Sequence, residues 1–215
     1  MVQPRALDRI PDEKTLQADL ERYRQLAREL GATDTAVIPA SAVEIDERVR
    51  LKCLSPRCLR AGQSPNCPPH APDLDTVRKA VNRYSWALLF KYDVPEFADY
   101  ALKKTGDPKF KGKPPYHRLN AEIVTGVERQ AYKDGYHLAL GFGGGSCRNS
   151  LCTGLECQFL ESRICRFPLL SRPAMEAVGI DVVDLVNKVG WQMYALLDNL
   201  EKIPCAISVG IIFIK

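Results

Sequence analysis

The stretch YHLALGFGGGSC, residues 136–147, indicates how the chain folds and where its chemistry lies. Its first part, 136–142, is predominantly apolar and predicts a buried strand, and the three glycines Gly143–Gly145 end that strand. In open sheets built with helical crossovers, functional loops follow the carboxyl ends of strands. The glycines and Cys147 occupy that position, so we expect a functional loop here.

The segment before this stretch predicts how its strand is reached. A buried strand is expected over 86–92 (WALLFKY), and apolar residues recur at helical spacing between about 119 and 135. A strand, a helix and a strand in this order predict a parallel crossover.

The remaining pattern predicts further helices and one more strand around this unit. β-branched residues over 36–51 indicate two short strands or an extended arm, and the lysine- and proline-rich segment 103–116 indicates a solvated loop. Helices are expected over 12–31, 73–84, 171–178 and 182–200, and a buried strand over 206–214.

Together these elements predict one metal-binding domain over 1–215, of the α/β or α+β class. We expect a single mixed sheet of about four or five strands with packed helices, an N-terminal helix within 1–35, and two cysteine-rich metal-binding loops at 53–72 and 143–168. Four prolines between Cys53 and Pro72 favour a loop in the first of these segments.

Composition limits the function classes. The 215 residues carry 30 Lys and Arg against 26 Asp and Glu, a net charge of +4 without basic blocks, which argues against nucleic-acid binding. No apolar run reaches the ~18–20 residues of a membrane span, and the amino terminus lacks a signal-peptide pattern. We therefore expect a cytoplasmic protein without membrane partners, whose eight cysteines stay reduced and serve metal binding or catalysis.

Seven of the eight cysteines form two groups. The first has the pattern C-x4-C-x8-C followed by two prolines, and the second has the pattern C-x4-C-x4-C-x7-C followed by Arg-Phe-Pro. We expect all seven to ligate metal: Cys53, Cys58, Cys67, Cys147, Cys152, Cys157 and Cys165.

The spacing of these cysteines favours iron–sulfur clusters over zinc. Zinc sites commonly use C-x2-C pairs, and this chain has none. Longer spacings suit a larger group that binds its thiolates at separate corners, and proline soon after a cysteine also occurs in ferredoxin-type runs. We expect one or two [4Fe–4S] clusters, with zinc as the alternative.

The glycines and one arginine are candidate cofactor-binding residues beside the second group. Glycine lets a backbone N–H approach the sulfides of a cluster, so Gly143, Gly144 and Gly145 are expected to donate hydrogen bonds to it. Arg148 is one of several arginines near the cysteines that could offset the negative charge of a thiolate-bound cluster.

The first group supplies only three thiols, so its fourth ligand is open. The candidates are His70, Cys205, a cysteine of the second group, or an exogenous molecule. Cys205 precedes an apolar strand and is also a candidate core residue. An exogenous ligand would make the site catalytic, because an iron without a protein thiolate can act as a Lewis acid.

The segments CLSPRC (53–58), CPPHAP (67–72), GGGSC (143–147) and CRFPLLSRPAMEAVGIDV (165–182) resemble those of the predicted metal-binding proteins of domain-of-unknown-function family 2284. The resemblance covers about residues 36–190. It implies metal binding at the seven clustered cysteines, as iron–sulfur, in anaerobic bacterial or archaeal metabolism. It implies no particular substrate.

The leading hypothesis is therefore a cytoplasmic iron–sulfur redox protein. It would pass electrons to a partner protein, or act on a small molecule at an open iron as an oxidoreductase or a sulfur-removing enzyme. The alternative is a structural zinc protein that presents a partner-binding surface.

Overall fold

The computed structural model describes residues 11–94, 115–194 and 205–215, without the side chains of residues 115 and 116. These ranges form an α+β fold with four strands and seven α-helices. The strands are β1 (Asp34–Pro39), β2 (Trp86–Val94), β3 (Leu140–Phe142) and β4 (Ala206–Phe213). The helices are α1 (Glu13–Glu29), α2 (Glu47–Leu54), α3 (Leu74–Val81), α4 (Pro115–Lys133), α5 (Cys147–Ser150), α6 (Gln158–Ser162) and α7 (Val182–Lys188).

The strands form one sheet in the order β1-β2-β4-β3, and every pairing in it is antiparallel. The number of strands is as expected, but the sheet is antiparallel and not mixed. Strands β2 and β3 run in the same direction, as a crossover requires, because both are antiparallel to β4. The crossover through α4 therefore passes over β4, which lies between them.

Both faces of the sheet are covered by helices. Helices α1 and α4 pack on one face against side chains such as Leu88 and Phe90 of β2. Helices α3 and α7 pack on the other face against the alternate side chains Ala87 and Leu89. Burial on both faces explains why the first part of β2, residues 86–90, is a continuous apolar run without polar alternation.

The cap residues confirm several expected helix starts. Asp12, Asp73 and Asp181 each accept a hydrogen bond from a backbone N–H in the first turn of α1, α3 and α7. Segment 171–178 is helical only in the 3₁₀ turn Glu176–Val178, and α7 ends at Lys188.

Other expectations need correction or fall outside the described ranges. The extended arm expected over 36–51 is strand β1 followed by helix α2, whose start is capped by Asp46. Residues 103–114 of the expected solvated loop and 195–200 of the last expected helix lie outside the described residues, as do 1–10. Within the described ranges, no helix is both long and apolar enough to cross a membrane.

Candidate metal centre

The two cysteine segments pack against each other beyond the carboxyl end of β3. The Arg60 Nε–H donates to Asn149 Oδ1 at 2.7 Å, and the Asn66 amide donates to Ser171 Oγ at 2.6 Å. The Cys67 thiol donates to Ser146 Oγ at 3.3 Å. Two groups that are distant in sequence therefore belong to one region of the molecule.

The three cysteines of the first group line one cavity of about 240 Å³, which we name the three-cysteine cavity. Cys53 lies in the last turn of α2, and Cys58 and Cys67 lie in the turns that follow. Its other lining residues are Arg60, Ala61, Pro68, Gly145, Ser146, Asn149, Ala174, Glu176 and Ala177. The cavity is several times the ~30 Å³ that one water molecule occupies, so it holds more than a single ion requires.

The four cysteines of the second group line a separate and tighter space, which we name the four-cysteine cleft. Cys147 begins α5, and Cys157 precedes α6. The free volume of this cleft is about 10 Å³, and Leu151, Phe159 and Phe167 contribute apolar walls.

Helix α5 separates the two spaces. Ser146, which caps α5, and Asn149 face the three-cysteine cavity, whereas Cys147 and Arg148 face the four-cysteine cleft. Residues three apart share a helix face, so Ser146 and Asn149 lie on one side of this turn and Cys147 and Arg148 on the other. The two cysteine groups thus form two neighbouring sites that share a wall.

Burial disfavours the charged form of the thiols in this region. It raises the pKa of Cys53, and the nearby Cys58 and Glu176 raise it further. Burial also raises the pKa of Cys147, although the polar side chains of Ser64, Ser171 and Asn66 nearby oppose that effect. Metal ligation requires the thiolate form of these cysteines. A bound metal ion would stabilise that form, because it supplies positive charge that the protein around these sulfurs does not.

Arg148 provides a test of whether the four-cysteine cleft suits an anionic group. Its Nε and Nη1 atoms are buried and have no hydrogen-bond partner among the described residues. Two buried guanidinium nitrogens without a partner are costly, and a thiolate-bound metal centre carries negative charge that would offset that cost. The donor set and this arginine therefore fit a thiolate-bound metal centre.

A separate question is whether the side chains are already arranged to coordinate a single metal ion. Across the described ranges, no three or more His, Cys, Asp or Glu side chains lie close enough together to hold one metal ion. The cysteines line the walls of larger spaces, as the two cavities show.

Two of the fourth-ligand candidates lie away from these spaces. His70 is exposed, and neither it nor Cys205 is among the described residues that line the cavity or the cleft. The Cys205 thiol donates to the Ala206 carbonyl at 3.1 Å, at the start of β4.

The glycines make the turn after β3 fit tightly against α4. The Gly143 N–H donates to the Pro173 carbonyl, and the Gly144 N–H donates to Asn120 Oδ1, both at 2.9 Å. Gly145 has a φ of +73°, and a Cβ there would lie 2.5 Å from His117. Gly145 is the glycine of the three that also borders the three-cysteine cavity.

Several neighbouring arginines stabilise the chain around the sites. Arg50 donates to the carbonyls of Pro69, Ala71 and Pro72, and Arg166 donates to the Glu156 carbonyl. Arg172 forms an ion pair of 2.6 Å with Glu128 on α4. These contacts fix loop geometry, which distinguishes them from Arg148.

Glu176 is a candidate functional residue that the sequence analysis missed. It lines the three-cysteine cavity and is exposed to solvent. Protein on the other sides removes water and raises the pKa of the carboxyl group. The only signal in the sequence was its place in the segment RPAMEAVGIDV, whose two acidic residues, Glu176 and Asp181, have no spacing typical of a ligand set.

An α+β fold with seven cysteines around two adjoining spaces defines a cysteine-rich protein with the donor set of a metal-binding protein. The chain belongs to the family described as predicted metal-binding protein (DUF2284), whose sequence model matches residues 36–212. The match contains all seven clustered cysteines as well as Glu176. Comparison with curated proteins and with solved structures found no match.

Proposed function

We propose that this protein binds a [4Fe–4S] cluster in the three-cysteine cavity and functions in redox chemistry. The observation that carries the proposal is a cavity of about 240 Å³ lined by three cysteines, in which no set of side chains converges on one ion. Cys53, Cys58 and Cys67 would each hold one iron and leave the fourth without a protein thiolate.

A second cluster in the four-cysteine cleft extends the proposal. Cys147, Cys152, Cys157 and Cys165 would be its ligands, and Arg148 would offset part of its negative charge. Because α5 is the wall between the two spaces, the centres would lie on either side of one helical turn. This arrangement suits transfer of electrons from one centre to the other.

When bound, such clusters supply single-electron transfer, and an iron without a thiolate supplies a Lewis acid. The chain itself shapes access to the first site. Ala61, Ala174 and Ala177 leave room beside the cysteines, and Glu176 has solvent contact there. The openness of the cavity favours a small-molecule substrate at this site, with a redox partner protein supplying or removing electrons. The proposal includes a cytoplasmic location, where thiols remain reduced.

Anaerobic purification with iron and acid-labile sulfide analysis tests the proposal. We expect iron and sulfide in equal amounts and an electron paramagnetic resonance signal after reduction with dithionite. The double variant Cys53→Ser/Cys67→Ser should lose the iron of one cluster, whereas Cys205→Ser should lose none. Protein kept from air throughout that contains no acid-labile sulfide would contradict the proposal.

A structural zinc site is the second candidate, for the four-cysteine cleft. Its free volume of about 10 Å³ suits one ion better than a cluster, and four thiolates are a common zinc donor set. Under this alternative the metal would stabilise the fold and a partner-binding surface. Zinc without sulfide, no visible absorption, and unfolding by a chelator would identify it.

A further inference from the structure

We propose that Glu176 is this chain's own ligand for the iron that Cys53, Cys58 and Cys67 leave open, and that a thiolate substrate displaces its carboxylate. The inference rests on the proposed function, since it requires a cluster in the three-cysteine cavity. It adds the fourth ligand and the chemical class of the substrate.

The position of Glu176 is fixed by contacts on both sides. The preceding Met175 is fully buried, and its N–H donates to the Gly143 carbonyl at 2.9 Å. The following Gly179 accepts at 2.8 Å from the N–H of Asp46, the cap of α2. Because α2 also carries Cys53, the segment with the carboxylate is attached to the helix that carries one of the three thiols.

The other polar side chains of the cavity are less suited to bind iron. Ser146 accepts from the Cys67 thiol, and Asn149 accepts from Arg60. Glu176 is the one carboxylate among the described residues that line this cavity. The second-group cysteines lie across α5 in the other space.

The carboxylate of Glu176 has no cationic partner. Of the described residues, none with a positive charge offsets the effect of burial on it. Three arginines of this region are engaged elsewhere: Arg50 donates to carbonyls, Arg60 to the Asn149 amide oxygen, and Arg172 pairs with Glu128. A carboxylate that borders a cavity without a counter-ion is available to a bound cation.

The chemistry of the ligand indicates what displaces it. Carboxylate oxygen is a hard donor, whereas cluster iron favours soft thiolate sulfur, so Glu176 would bind less firmly than the three cysteines. In the exchange, one iron–oxygen bond breaks and one iron–sulfur bond forms. One anion replaces another, so no electron is gained or lost. The free carboxylate then remains in the cavity beside the substrate.

The test uses anaerobic full-length protein titrated with 2-mercaptoethanol and followed by electron paramagnetic resonance after reduction. Iron and sulfide contents are measured first, and their absence in the wild type would overturn the proposed function and this inference with it. With clusters present, wild type should respond to the thiol. Glu176→Gln should respond at concentrations at least about tenfold lower, because the competing ligand is gone. Glu176→Cys should show no response, because a protein thiolate then occupies the iron.

The matched control is Glu156→Gln, at an exposed glutamate in the other cysteine segment, which should titrate as wild type does. If Glu176→Gln retains its clusters but titrates at the wild-type concentration, Glu176 is not the ligand and the inference is overturned. If Glu176→Gln does not retain iron, Glu176→Cys decides. Restored iron content without a thiol response supports the ligand role, and a wild-type response overturns it.

Discussion

Two regions of the molecule contain buried polar groups, and they differ in whether those groups have hydrogen-bond partners. Between α1 and α4, Asp134 accepts from Arg22 at 2.7 Å and from the Tyr23 hydroxyl at 2.9 Å, and Tyr136 donates to Asp19 at 3.0 Å. We name these five residues the α1–α4 polar network. In the cysteine region, by contrast, two guanidinium nitrogens of Arg148 are buried without a partner among the described residues.

This difference in hydrogen bonding distinguishes a structural role for the α1–α4 polar network from a binding role for the cysteine region. Buried polar groups in native proteins are nearly always hydrogen-bonded, so a satisfied network needs no further explanation. The two buried nitrogens of Arg148, beside four cysteines, would be satisfied by the anionic metal centre proposed for this cleft. Each of the following experiments changes one side of this comparison.

The largest effect is expected for Asp134→Ala, which removes the centre of the α1–α4 polar network. Breaking a buried ion pair costs about 3–5 kcal/mol, and we expect about 3 kcal/mol because the Arg22 side chain is 35% exposed. Urea denaturation would measure the loss. The metal content per folded chain should not change, since the network lies apart from the cysteines.

The control for this variant is Glu122→Ala, which removes an exposed ion pair with Arg118 on the surface of α4. That change should cost no more than about 0.5 kcal/mol. Similar losses for the two variants would show that the network is not the stabilising element proposed here.

The second effect concerns Gly145, where the three-cysteine cavity adjoins α4. Gly145→Ala should cost about 2–3 kcal/mol, because the residue has a φ of +73° and the new Cβ would lie 2.5 Å from His117. Gly154→Ala is the matched control, with a φ of +74° and no atom within 4 Å of the new Cβ. It should cost about 1–2 kcal/mol. Equal losses of unfolding free energy would show that the His117 contact is unimportant.

The elements that sequence analysis predicted well are those whose pattern reflects burial. The apolar runs of β2 and β4 identified strands that are covered on both faces, and the helical spacing identified α1 and α4. The strand expected over 136–142 begins only at Leu140, because Tyr136 is buried between α1 and α4 instead. Helix α2 was missed because its apolar residues Leu51 and Leu54 are exposed and give no amphipathic pattern.

The arrangement of the candidate site could be predicted only in part. The division of the cysteines into three and four follows from their spacing, and it agrees with the two spaces they line. The position of β4 between β2 and β3 does not follow from any local pattern, since strand order depends on long-range pairing. For the same reason no local pattern indicated that Glu176 borders the cavity of cysteines more than 100 residues away.

The third prediction concerns Arg148→Met and depends on whether metal is bound. In metal-free protein the change should stabilise the fold by about 1–2 kcal/mol, because it removes two buried guanidinium nitrogens that have no partner among the described residues. In metal-loaded protein the change should destabilise the fold, because it removes the Arg148 guanidinium, whose positive charge would offset the negative charge of the thiolates. Urea denaturation before and after chelator treatment would measure both values.

Arg129→Met serves as the control, since this exposed arginine on α4 borders neither the cleft nor the cavity. Its effect should have the same sign with and without metal. If Arg148→Met also has one sign in both states, Arg148 does not interact with a bound metal centre.

The smallest effect is expected for Tyr23→Phe in the α1–α4 polar network, and it should depend on pH. At neutral pH the variant loses the 2.9 Å hydrogen bond to Asp134, at a cost of about 1 kcal/mol. Burial and the nearby Asp134 raise the pKa of Tyr23 far above its ordinary value of 10.0. Above about pH 10 the unfolded tyrosine loses its proton and the folded one keeps it, so the stability of the wild type falls as pH rises.

The difference between the two proteins should therefore disappear within about one pH unit above 10, since one titrating group contributes about 1.4 kcal/mol per unit. Chemical denaturation at neutral and alkaline pH would measure this. Tyr132→Phe, at an exposed position on α4, should differ from wild type by less than about 0.5 kcal/mol at both pH values. A constant difference for Tyr23→Phe across this range would mean that the Tyr23 hydroxyl titrates alike in the folded and unfolded chains, so the network would not hold its proton.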